Sequence, residues 1–109
     1  MDSIKNQRPS TIWKERMNDE EGHFTRGRLV ATEKILETYL DNLSKSKDNT
    51  DIWKAIEKVV KAFNKLNKDE EYFIETLERE ELAEFIQLEA EKAGLKFNGD
   101  VTEEWRDEW

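Results

Sequence analysis

At 109 residues with no cysteine, the chain has room for one core and lacks thiol chemistry, which excludes disulfides, a cysteine nucleophile and cysteine-ligated zinc. Charged residues make up 40% of it against 36% apolar, and the formal net charge is -8, so a lean core under an acidic surface is expected. Four Trp, five Phe and two Tyr make the few core members large. The uncharged runs are too short to cross a bilayer and the first residues are polar, so the expectation is a cytoplasmic protein with neither a secretory signal nor a membrane span.

Residues 1–9 carry no periodicity and are expected to form a flexible arm, leaving residues 10–109 as a single helical domain. Ser10 or Thr11 can cap a short helix on which Ile12, Trp13, Arg16 and Met17 form a small apolar patch, a lid on the core or a partner contact. Asn18 to Gly22 break that helix.

From Phe24 to Leu43 the pattern is strongly helical. Leu29, Thr32, Ile35, Leu36, Tyr39, Leu40 and Leu43 share one broad face. A polar connector then leads to Asn49 or Thr50 as the expected cap of a second helix running to about Leu66. Ile52, Ile56, Val59, Phe63 and Leu66 make its main stripe, and Trp53 with Val60 a second one, so this helix should touch two neighbours. Tyr72-Phe73-Ile74 is an apolar clasp, readable as one extra helical turn.

The best-marked element is Thr76 to Leu95. Thr76 is the expected cap, with Glu78, Glu80 and Glu81 near the positive end of the helix dipole. Leu82, Phe85, Ile86 and Ala93 form the expected core stripe, interrupted once by Glu89. Gly94 supplies a left-handed residue after the last turn, and Leu95 can fold back on Ala90 as in a Schellman ending. Beyond it, Asn98-Gly99 invites a turn, Phe97 is free to plug the end of the bundle, and Asp100 or Thr102 can cap a last short helix carrying Trp105 and Trp109 on one face. With nothing alternating at period two, the expected fold is an all-α small helical bundle of three main helices with short helices at both ends.

Charge divides the chain. Residues 45 to 68 hold seven Lys against three carboxylates, net +4, whereas residues 69 to 93 hold ten carboxylates against two cations, net -8. The second and third helices are thus complementary and could pair their charges side by side, each surface pair contributing about 0 to 1 kcal/mol. The excess of carboxylates leaves an acidic face, with Glu78, Glu80, Glu81 and Glu84 as candidate partner-binding residues. Such a face repels nucleic acid and attracts a basic protein surface, the logic by which acidic helical inhibitors fill the groove of a nuclease, toxin or defence effector.

Enzymatic readings are weaker. Glu81-x-x-Glu84 followed by Glu104-x-x-Asp107 resembles the magnesium-binding carboxylate quartet of all-α nucleotide pyrophosphohydrolases. Among 26 acidic residues, however, such spacing arises roughly five times by composition alone. Glu20-x-x-His23 is half of a di-iron motif, but there is only one histidine, and no strand-turn-helix elbow presents a nucleophile. No catalytic residue, metal or cofactor is expected.

Two further surfaces stand out. Arg26 and Arg28, at a helix start beside His23 and Phe24, are the candidate cradle for a small anion such as a nucleotide, or else partners for acidic groups of the third helix. Trp53 with Val60, Leu77 with Leu88, and Trp105 with Trp109 exceed the apolar surface three helices need. They point to a homodimer or partner interface, unless the terminal segment closes over Trp53 and turns them into core.

Overall fold

A computed structural model describes residues 26–70, 72–107 and 109. The expectations for residues 1–25, namely the arm, the Trp13 helix and the Glu20-x-x-His23 pair, lie outside the described residues. Among the described residues there are three helices, α1 (Arg26–Ser44), α2 (Asn49–Asp69) and α3 (Thr76–Lys92), and no strand.

The stripe expected on α1 is the one that is buried. Thr32, Leu36, Tyr39 and Leu43 face the core, with Leu29, Ile35 and Leu40 half-buried beside them. The Tyr39 hydroxyl donates to the Ile86 carbonyl of α3 at 2.6 Å, tying the first helix to the third. Burial, and secondarily the Glu89 carboxylate, push the Tyr39 phenol well above its ordinary value, so it remains a donor.

α2 starts one residue earlier than expected. Asp48 is the N-cap, its carboxylate accepting from the Asp51 amide at 2.9 Å, because a short acceptor in extended backbone reaches the third amide of the helix. Ile52, Ile56, Val59 and Phe63 are buried as expected, and so is Val60, which is fully enclosed. The helix packs against α1, against α3 and against the chain that follows α3.

The corner after α2 is not an extra helical turn. Tyr72 takes a left-handed backbone (φ 59) and donates its amide to the Asn67 carbonyl at 2.6 Å. The Asn67 side chain, fully buried, accepts from the Ile74 amide at 2.8 Å. Both bonds satisfy backbone donors that a buried corner would otherwise orphan. Phe73 and Ile74 thereby enter the core while Tyr72 stays outside.

α3 also opens one residue early, on Glu75 instead of Thr76, with Glu78 Oε1 accepting from the Glu75 amide at 3.1 Å as half of a capping box. Its stripe is Leu82, Phe85, Ile86 and Ala90; Ala93 is exposed, since the helix stops at Lys92 and the chain turns away there. The ending is a Schellman motif: Leu95 N–H donates to Ala90 O and Gly94 N–H to Glu91 O, both at 3.0 Å. Gly94 has φ +114, which a side chain would strain, and Leu95 folds back into the core.

The chain after Gly94 lies across α2. The Phe97 ring stands edge-on to Trp53 with centroids 5.1 Å apart, and is itself 44% exposed, so it flanks the bundle and does not plug it. Asp100 Oδ1 accepts from the amide and hydroxyl of Thr102, and residues 101–105 form a run of turns where a short helix was expected. Trp109 reaches Phe63, ring centroids 6.1 Å apart.

Candidate functional site

Asn64 on α2 holds that final segment. Its amide donates to the Trp105 carbonyl at 2.7 Å, while its Oδ1 accepts from the Asp107 amide at 3.0 Å and from the Trp109 indole N–H at 2.6 Å. Trp105 tilts against Trp53 at 5.9 Å, and Arg106 bonds Asp100 and the Trp109 carbonyl. Trp53, Val60, Trp105 and Trp109, candidates for an oligomer or partner interface, are thus consumed inside the chain. Val60 is wholly buried, Trp109 is 9% exposed, and Trp53 and Trp105 are half-buried against each other. A contact within one chain avoids the loss of translational and rotational freedom that recruiting a second chain would entail.

Of the candidate anion cradle, Arg28 is likewise engaged within the chain. Arg28 Nε contacts Glu70 Oε1 at 3.1 Å, its Nη2 donates to the Glu70 carbonyl at 2.8 Å, and its guanidinium stands 5.0 Å from the Phe73 ring centroid. Arg28 thus closes the end of α2, helped by the attraction of a cation to a helix C-terminus, and its partner is not the third helix. Arg26, two residues away, is exposed.

The acidic residues of α3 separate by face. Glu78 is 4% exposed and works as a cap, so it does not belong to a partner surface. Glu81 is half-buried. Glu80 and Glu84, with Glu91 two turns on, line a trough of about 480 Å³ floored by Ala83, Gln87 and Leu88 and rimmed by Gly99 and Asp100. Glu80, Glu84 and Glu91 are exposed and make no ion pair among the described residues. Glu91 and Leu88 share a face with Glu80 by simple helical spacing, eleven and eight residues on, so their place is readable from the sequence.

The lysines of α2 do not neutralise this face. Lys61 pairs with Glu57 and Lys65 with Asp69, both within α2, Lys92 pairs with Glu89 within α3, and no ion pair joins α2 to α3 among the described residues. Neighbours at three- or four-residue spacing are simply closer than groups on adjacent helices. Among the described residues no three carboxylate or imidazole groups converge to hold a metal ion, and no helix is long and apolar enough to cross a membrane.

Comparison with known proteins yields no matching family, no similar curated protein and no similar solved structure.

Proposed function

We propose that this chain is a small, non-enzymatic, acidic protein-binding module whose α3 trough engages a basic protein surface of the kind that binds nucleic acid. An inhibitor or immunity-type protein acting on a nuclease, toxin or defence effector fits that description. The observation carrying this reading is the row of Glu80, Glu84 and Glu91, exposed and without ion-pair partners among the described residues, beside the apolar Ala83 and Leu88. At the helical rise the carboxylates lie about 6 and 10 Å apart along the axis, a ladder of fixed negative charge able to stand where phosphates would. Charge of one sign along one face also raises the rate of encounter with a cationic partner.

The test is capture from cell lysate at low and high salt, with the wild-type chain and Glu80→Lys/Glu84→Lys side by side. A basic protein retained at low salt, released by high salt or by added DNA, and missed by the double variant supports the proposal. Capture that ignores the double substitution, or no macromolecular partner at either salt, overturns it.

A further inference from the structure

A second surface of opposite sign lies between α1 and α2. A groove of about 210 Å³ runs there over Ile35, Val59 and Ala62, with Lys34 and Lys58 on its two rims. It continues past Lys58 into a second, more polar stretch lined by Lys45, Asp51 and Lys54, so cations outnumber the one carboxylate there. Lys34, Lys54 and Lys58 are exposed, and none makes an ion pair among the described residues. An apolar floor between unpaired cations selects an amphipathic segment that carries carboxylates around an apolar residue.

The outer face of α3 has that composition. Leu77 is 51% exposed, and Leu88 is half-buried among Glu80, Glu84 and Glu91. The order of groups matches as well. Along α2, Lys54 and Lys58 are one turn apart and are followed by Val59 and Ala62, with Lys34 of α1 beside that apolar end. Along α3, Glu80 and Glu84 are one turn apart and are followed by Leu88 and then Glu91. Laid parallel to α2, a neighbour's α3 would set Glu80 at Lys54, Glu84 at Lys58, Leu88 over the apolar floor and Glu91 at Lys34.

We infer that the α1–α2 groove is a docking site for the α3 face of a second copy of this chain. Because groove and face are different patches of one molecule, the contact is head-to-tail, and each added copy presents a fresh groove or a fresh face. The inference shares the acidic face with the function proposed above, so self-association would hold that face in reserve until a basic partner displaces the neighbour.

Sedimentation velocity over a concentration series tests it, at salt levels where the screening length is about 30 Å (0.01 M) and about 3 Å (1 M). The wild-type chain should form concentration-dependent species at low salt that disperse at high salt. Lys54→Glu/Lys58→Glu and Glu80→Lys/Glu84→Lys should each associate at least tenfold more weakly, with unchanged circular dichroism. An equimolar mixture of the two variants should associate again, since each reversed patch then meets its complement. A wild-type monomer under all conditions, association that survives either substitution, or a mixture that stays monomeric overturns the inference. Lys54→Glu/Lys58→Glu leaves the acidic face intact: if it loses self-association yet still captures a basic protein, both readings stand. Partner capture that requires Glu80 and Glu84 in a chain that never self-associates sinks this inference alone.

Discussion

The two faces of α3 use the same residue types for opposite ends. On the inner face Glu78 caps the helix start while Leu82, Phe85, Ile86 and Ala90 fill the core; on the outer face Leu88 sits among Glu80, Glu84 and Glu91, which have no ion-pair partners among the described residues. A carboxylate in this chain is therefore structural or available according to its angle around the helix, not its place in an acidic run. Glu78 and Glu80, two residues apart, fall on different sides of that division.

Substitutions can break or sharpen the contrast. The largest effect should come from Leu82→Ala, which empties a fully buried position between the helices and should cost about 2 to 5 kcal/mol in urea unfolding. Glu78→Ala should cost about 0.5 to 2 kcal/mol, because the Glu75 amide loses its acceptor; a negligible loss would return Glu78 to the outer set.

Tyr39→Phe should cost about 0.5 to 1.5 kcal/mol by removing the bond to the Ile86 carbonyl. It should also change the alkaline limb. The folded Tyr39 phenol sits above its unfolded value of about 10, so its contribution is fully present below that pH and is lost as pH rises beyond it. Unfolding midpoints followed upward from about pH 9 should fall more steeply for the wild type than for Tyr39→Phe. At the other extreme, Glu80→Lys/Glu84→Lys should leave stability within about 0.5 kcal/mol while abolishing capture of a basic partner. A large stability change there would mean that these carboxylates support the fold after all.

Much of the bundle is legible in the sequence because it rests on periodicity. The α1 stripe through Leu36 and Tyr39 and the α2 stripe through Ile56 and Phe63 follow from spacing of three and four, and Gly94-Leu95 marks the Schellman ending by residue type alone. The two caps each lie one residue earlier than residue type suggests, since Asp48 and Asn49, or Glu75 and Thr76, offer equivalent oxygens and only backbone geometry chooses between them. Asn64 and Asn67 carry no signal. An asparagine at a helix position reads as solvent-facing until a loop from elsewhere brings amides to it, as Ile74 does for Asn67 and Asp107 for Asn64. Of the candidate acidic site, Glu80 and Glu84 stand where helical spacing puts them, whereas Glu78 lies inside and Glu91 joins the outer row.

The sequence by itself determined the all-α class, the three helices and the uneven distribution of charge, because helix period and composition are local properties. Tertiary structure alone decided which apolar surplus became core. Trp53, Trp105 and Trp109 were equally suited to a partner, and the return of the last residues across α2, held by Asn64, covered them within the chain. It also decided which charges remained available, since α2 pairs Lys61 and Lys65 locally and Glu80, Glu84 and Glu91 of α3 are left facing outward. Pairing depends on distances between side chains, and those exist only once the helices have packed.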